Sequence, residues 1–248
     1  MVRQRIHCSG WVVLKPLPIF IGYDPSETIA ANVLAFSIQR RASKPVAITF
    51  LMLEQLKEIH TRERHPLQST EFSFTRSLVP YLTGYKGDAV FMDCDMLMLD
   101  DIHRVIGEAS NTFAPACVVK HNHKPVNRTK MQGQLQTVYN CKNWSSLMLF
   151  RCQHSDCGRL TPEYVNTAEG LELHQFKWTT PSEVGRLPHR WNHLVGYDYE
   201  CPLDEVSCLH WTEGGPWWEA YEKVPYADVW RDELKEMNKA WERKRAAA

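Results

Sequence analysis

Residues 89–101 read Ala-Val-Phe-Met-Asp93-Cys-Asp95-Met-Leu-Met-Leu-Asp100-Asp101, an apolar run that stops on two aspartates one residue apart. The run reads as a buried strand. In extended chain, side chains two apart share a face. Asp93 and Asp95 can therefore address one ion while Cys94 faces away. Carboxylate oxygens suit hard divalent cations such as Mg²⁺ or Mn²⁺, which keep positions open for phosphate oxygens. The carboxyl end of a parallel strand is also where open α/β sheets bind ligands. The competing reading is a chance pair of acids, capping a helix near Asp100.

Strand and helix signals alternate around this run, as in an α/β fold. Pro18–Tyr23 reads as an opening strand. Asp24 is a helix cap, Pro25 fits the first helical position, and Glu27 completes a capping box. Ile29, Val33, Leu34, Ile38 and Arg41 continue that helix at helical spacing. Pro45–Phe50 reads as a strand, Leu51–Ile59 as helical, residues 60–70 as a loop, and Phe72–Leu82 as a helix bent or ended by Pro80. Asp100–Ile106 predicts a short helix, Phe113–Lys120 and Ser145–Phe150 further strands, and Thr161–Ala168 another helix. Ala227–Arg245 predicts a polar helix with one apolar stripe of Val229, Trp230, Leu234, Met237 and Trp241. The expected organisation is a tail (1–17), one continuous domain (18–226, with a nucleotide-sugar-binding half at 18–110 and an acceptor-side half at 111–226) and a C-terminal helix (227–248).

A second unusual string lies far downstream, Leu209-His210-Trp-Thr-Glu213-Gly214-Gly215-Pro216-Trp217-Trp218. An imidazole can complete a carboxylate–diphosphate metal site, and its nitrogen tilts preference from Mg²⁺ toward Mn²⁺. Gly214 and Gly215 would let backbone N–H groups approach phosphate closely. Taken alone, a histidine such as His210 is more often a core or surface residue.

Taken together, these strings resemble glycosyltransferase family 8 and its relatives. The strand ending in D-x-D is one element. Phe74-Thr-Arg76-Ser-Leu-Val-Pro-Tyr-Leu82 is similar to the family's arginine-bearing helix. Asn143-Trp-Ser-Ser-Leu-Met-Leu149 loosely matches an N-S-G strand. Leu187-Pro-His-Arg-Trp-Asn192 matches an "lp…wN" string, and His210–Trp217 a shortened H-x-x-G-x-x-K-P-W. The resemblance spans residues 19–218. It implies a GT-A fold, a Rossmann-like mixed central sheet flanked by helices in a single α/β domain. It implies a nucleotide-sugar donor, UDP-linked, and retention at the anomeric carbon. Gly22, Tyr23 and Asp24 would seat base and ribose, with Asp24 equally readable as only the helix cap. Asp93, Asp95 and His210 would hold the metal, and Arg76 would pair with the diphosphate or with Asp93. Gly215 stands where the family carries a phosphate-binding lysine, so Arg76, Lys142 or Lys120 would supply that charge. The family's D-Q-D string is absent. Its nearest candidates are Glu172, His174 and Gln175. Glu172 and Glu213 are conceivable bases for an inverting reaction. Among Trp144, Trp191, Trp217 and Trp218, one or two are expected to stack on sugars.

Other classes fit less well. The chain balances 29 basic against 29 acidic residues, which removes a whole-chain electrostatic case for nucleic acid. No apolar run reaches the ~18 residues of a membrane span, leaving only peripheral membrane contact open. The eight cysteines form no C-x-x-C pair, and Cys152, His154 and Cys157 lack a fourth zinc ligand. With no secretory signal, reduced cysteines point to the cytoplasm, and the Asn127 and Asn143 acceptor patterns for glycans carry little weight. A D-x-D phosphohydrolase wants Thr or Val where Leu97 stands. A non-catalytic carbohydrate or nucleotide binder on the same fold is the remaining rival. The acceptor would be a glycan, a lipid-linked intermediate or a small molecule.

Overall fold

A computed structural model describes residues 15–64, 68, 70–111, 113–122, 129–130, 134–135 and 140–246. Asn127 and most of the N-terminal tail lie outside them. Leu17–Gly22 (β1), Thr28–Arg41 (α1), Val46–Leu51 (β2), Val79–Leu82 (α2) and Asp88–Met92 (β3) form the first half of the chain. Met96–Met98 (β4), Arg104–Glu108 (α3) and Ala116–Val118 (β5) follow. Thr129–Lys130 (β6) and Gln134–Leu135 (β7) pair as a small antiparallel ladder. Then come Leu147–Arg151 (β8), Pro162–Thr167 (α4), Gly170–His174 (α5), Gly185–Arg186 (β9), His193–Leu194 (β10), Cys208–His210 (β11) and Ala227–Ala246 (α6).

The main sheet has the order β2-β1-β3-β8-β5-β9. β1 runs parallel to β2 and β3, whereas β8 runs antiparallel to β3 and β5. The central strands are buried on both faces, from Ala89 to Met92 and throughout β8. That is why they read as unbroken apolar runs and not as alternating ones. Each such side chain removed from water contributes about 1.5–3 kcal/mol.

A second sheet, β10-β11-β4, leans against the first. α1 serves both layers. Its Ala31, Leu34 and Ile38 enter the main core, while Val33 joins Leu97, Leu209, Trp211 and Trp230 in a smaller one. α6 closes that smaller core with Trp230 and is tied to α1 by the buried Glu233. This carboxylate takes Arg41 Nη2 at 2.7 Å and Arg40 Nη1 at 3.3 Å.

Several local expectations shift. Leu51 completes β2, and beyond it only Leu53–Gln55 forms a 3₁₀ turn, because Leu51 is drawn into the core by pairing with Gly22. Phe72–Leu82 is a turn, a 3₁₀ helix over Thr75–Leu78 and then α2. Pro80 lies in the first turn of α2, where its missing N–H costs nothing. The strand expected over Phe113–Lys120 contracts to Ala116–Val118, and the short helix expected from Asp100 begins only at Arg104. Asp24 does cap, accepting from Ser26 N at 3.0 Å, but Glu27 completes no capping box. Its carboxylate is buried and receives the Cys94 thiol at 3.5 Å. Cys94 thus turns away from the two aspartates into the core.

Gly22 ends β1 directly under the Phe72 ring, where a Cβ would stand 2.3 Å from a ring carbon. Phe72 is fully buried and cannot swing aside. Gly22→Ala should therefore destabilise the protein by about 1–3 kcal/mol through overpacking, measured as a lowered urea midpoint at unchanged m-value.

Candidate active site

β3 ends at Met92, and the β3–β8 ladder continues one step further, with Asp93 N–H donating to Ser146 O at 2.8 Å. This step fixes Asp93 beside Ser145 and Ser146. Arg76 reaches the same point from the 3₁₀ helix. Its Nη1 lies 2.9 Å from Asp93 Oδ1 and donates to Ser145 O at 2.8 Å. The guanidinium is buried, with its carbon 4.9 Å from the Phe91 ring centre and 5.2 Å from that of Phe72. Aromatic faces suit a planar, weakly hydrated cation. Removing either partner of such a buried pair strands the other charge, at a cost of about 3–5 kcal/mol.

Two residues on, Asp95 leads into β4, which pairs antiparallel with β11. His210 stands opposite Met96, and Trp211 N–H donates to Asp95 O at 3.0 Å. The ladder thereby carries an imidazole from more than a hundred residues away onto the second aspartate. His210 Nε2 lies 3.3 Å from Asp95 Oδ1, and both side chains are buried. Asp93, Asp95 and His210 each present one ligand-capable atom, all within 4.8 Å of one another.

Asn192 sits behind His210, fully buried, in the 3₁₀ turn His189–Asn192. Its Nδ2 donates to Ser146 Oγ at 2.8 Å, which turns Oδ1 toward His210 Nδ1, 2.9 Å away. An amide oxygen only accepts, so Nδ1 carries the hydrogen, and in the neutral ring Nε2 keeps its lone pair on the side of Asp95. Ser146 Oγ passes its own hydrogen to Asn143 O at 2.6 Å. Asn143 adopts left-handed backbone (φ 62°), which asparagine tolerates better than most residues. Its side-chain oxygen accepts from Thr212 Oγ1 at 3.3 Å. Two carboxylates and an imidazole nitrogen of fixed tautomer form a donor set that fits Mn²⁺ or Mg²⁺.

Cys94, between the aspartates, is no nucleophile. Burial first, then the neighbouring Glu27 and aspartates, push its thiol well above its ordinary range. Cys152 and Cys157 are buried too, the latter donating to Pro115 O at 3.4 Å, and His154 Nδ1 accepts from Asp156 N–H at 3.1 Å. They make a core patch and a turn cap.

The other residues singled out in the sequence are spread more widely. Tyr23 donates to or accepts from Thr28 Oγ1 at 2.7 Å, with its ring against Phe50. The Asp24 carboxylate also takes Ser26 Oγ at 2.7 Å and Glu71 N–H at 3.2 Å. Glu172 closes the capping box of α5, accepting from Glu169 N–H at 3.3 Å, and Gln175 ends that helix. His174, between them, is the residue that reaches the site, its Nδ1 3.2 Å from Ser145 Oγ. Glu213 accepts the Tyr197 hydroxyl and lines a cavity of about 350 Å³ with Trp211, Gly214 and Tyr221. Gly214 (φ 139°) and Gly215 form the turn after β11, where a Cβ would meet Tyr221 at 2.7 Å and Trp217 at 2.0 Å respectively. Lys142 is buried, while Lys120 Nζ lies 5.3 Å over the Trp144 ring. Trp191 is fully buried, donating to Glu108 Oε2 at 2.8 Å, and so belongs to the core and not to a sugar-stacking face.

Comparisons with known proteins follow the same lines. No family model matches the chain. It is 43% identical over 243 residues to Protein CDI of Arabidopsis thaliana, across 96% of this chain and 93% of that protein. Among solved structures, the WbbM bifunctional glycosyltransferase superposes with a TM-score of 0.63 at 17% identity, over 91% of this chain and 50% of the other. GlyE from Streptococcus pneumoniae TIGR4 gives 0.59 at 13% identity, over 88% and 60%. The galactosyltransferase LgtC, solved with donor and acceptor sugar analogues, gives 0.56 at 10% identity, over 89% and 96%. The chain thus spans half to three-fifths of the first two solved chains. These are GT-A-type glycosyltransferases, and the chain shares their fold.

Asn192→Ala leaves His210 Nδ1–H without its acceptor and releases the ring's orientation. Mn²⁺ affinity measured by calorimetry should fall about 10–100-fold. Loss of buried hydrogen bonds should cost a further ~1–3 kcal/mol of stability by denaturant titration.

Proposed function

The chain belongs to the family of Protein CDI, and from its GT-A fold and its converging acids and imidazole we propose that it is a metal-dependent glycosyltransferase. It transfers a sugar from a nucleoside-diphosphate donor, UDP-linked, to a glycan, lipid-linked or small-molecule acceptor. The observation carrying this reading is the meeting of Asp93, Asp95 and His210 within 4.8 Å at the carboxyl end of a central strand. Within that fold, the ordered strings from Phe74 to Trp217 favour a divergent relative of glycosyltransferase family 8, and with it retention at the anomeric carbon.

The residues divide the work as follows. Asp93, Asp95 and His210 would hold a divalent cation, which would supply Lewis acidity to a departing diphosphate. Arg76 aims Asp93 through their ion pair, and its own charge lies beside the site where phosphate would add negative charge. Asn192 presents His210 with Nε2 foremost. The Gly214–Gly215 turn comes after Trp211, Thr212 and Glu213 on the same run of chain as His210. Gly214 N–H is donated to Trp211 O at 2.9 Å, and the Gly215 N–H would be the one offered to a phosphate oxygen. Ser145 links Arg76 to His174, its carbonyl accepting from Arg76 Nη1 and its hydroxyl meeting His174 Nδ1. Gly22, Tyr23 and Asp24, at the end of β1, would accept base and ribose. The buried walls around Asp95 and His210 exclude water, so fixed charges act there more strongly than in bulk solvent.

Purified protein with Mn²⁺ should release UDP from a UDP-sugar, by transfer or slow donor hydrolysis, and EDTA should abolish the release. Asp95→Asn and His210→Ala should each lower the rate by at least about 100-fold, corresponding to roughly 3 kcal/mol of lost charge stabilisation. Metal-dependent UDP binding with no turnover on any donor would instead mark a binding protein.

A further inference from the structure

A second group of potential ligands lies outside the D-x-D site. His121, His189 and Asp198 bring three ligand-capable atoms within 4.8 Å of one another. They come from three separate stretches of chain. His121 follows β5, His189 opens the 3₁₀ turn before β10, and Asp198 lies beyond β10. His189 Nε2 stands 2.7 Å from Asp198 Oδ2, and the His121 and His189 rings meet edge to face with centres 5.0 Å apart. His121 is buried, whereas the His189 side chain is 56% exposed, so one side of the group is open to water. Leu194 N–H donates to the same Asp198 oxygen at 2.6 Å and holds the carboxylate in place. A fixed carboxylate with two imidazoles and an open side is the donor set of a three-ligand transition-metal site.

We propose that His121, His189 and Asp198 bind a second transition-metal ion of the Zn²⁺ class, with water on its open side, independent of the D-x-D site. The ion takes the place of the proton now shared between His189 and Asp198. Two nitrogen ligands favour Zn²⁺ or Co²⁺ over Mg²⁺ or Ca²⁺. Its position gives it a purpose. The His121 carbonyl accepts the Trp144 indole N–H at 2.8 Å, and Trp144 adjoins the Ser145 that holds Arg76. His189 opens the short turn that ends on Asn192, the residue that orients His210. A bound ion would therefore clamp the loop after β5 to the turn that carries Asn192, bracing the D-x-D site from outside.

The test uses full-length protein stripped of metal and titrated with Zn²⁺ by calorimetry, then with Co²⁺ followed by its visible absorption. Binding is read in an Asp93→Asn/Asp95→Asn background shown to be folded by its circular dichroism and cooperative melting, which removes the first site and leaves His121, His189 and Asp198 in place. One equivalent of Zn²⁺ should remain there. Adding His189→Ala or Asp198→Asn should weaken it by more than about 100-fold, beyond what loss of a merely supporting contact produces. Because His189 is largely exposed, His189→Ala should lower the melting temperature in EDTA only slightly, through one lost surface pair, but should abolish the rise in melting temperature that Zn²⁺ gives, which separates lost ligation from lost folding. The proposal is overturned if the Asp93→Asn/Asp95→Asn protein binds no Zn²⁺, or if its remaining equivalent is indifferent to His189→Ala and Asp198→Asn. Neither readout depends on sugar transfer.

Discussion

The antiparallel pairing of Met96–Met98 with Cys208–His210 is the contact on which the candidate site rests. Three residues on each strand suffice, because the register is held at both ends by backbone hydrogen bonds, Trp211 to Asp95 and Leu99 to Ser207. A slip of one residue would turn His210 into the opposite face and leave Asp95 against an apolar neighbour. The small core beneath the pairing, with Leu97, Leu209 and Trp211 interleaved against Val33 and Trp230, is what resists such a slip. α6 therefore matters to the chemistry without touching it. It covers the back of the sheet whose front carries the imidazole.

A second layer of order surrounds the ligands. Arg76, Ser145, Ser146, Asn143 and Asn192 connect Asp93 to His210 through hydrogen bonds that all run behind the acids. Around Asn192 the bonds run in series: Nδ2 donates to Ser146 Oγ, Ser146 Oγ donates to Asn143 O, and Asn192 Oδ1 faces His210 Nδ1. Such a network gives the site a shape before any ligand arrives, the condition under which electrostatic catalysis is effective.

The part of this legible in the amino-acid order follows from local rules. The Asp93/Asp95 pair could be read because strand periodicity puts both on one face. The mixed α/β architecture could be read because the central strands are continuous apolar runs. Arg76 and Asn192 both lay in noticed strings, yet only Arg76 could be given a partner. Asn192 contacts His210 through a turn whose path no periodicity foretells. In Leu171–Phe176 the sequence offers Glu172, His174 and Gln175, with nothing in their order to rank them. Helix geometry places them apart, with Glu172 in the cap of α5 and His174 turned toward Ser145. Trp191 was read as a possible sugar platform, but its indole is consumed by Glu108 inside the core. Leu51–Ile59 misled because a strand end followed by leucines at helical spacing mimics a helix start. The pairing partner that overrides it, Gly22, is distant in sequence.

The central claim is that one cation sits between Asp93, Asp95 and His210 and carries a nucleoside diphosphate. Crystals soaked with Mn²⁺ and UDP, measured at a wavelength where manganese scatters anomalously, test it most directly. The account predicts an anomalous peak within bonding distance of all three side chains, with diphosphate oxygens on its open side. UDP bound elsewhere, or bound here with those three residues uncoordinated, would contradict it.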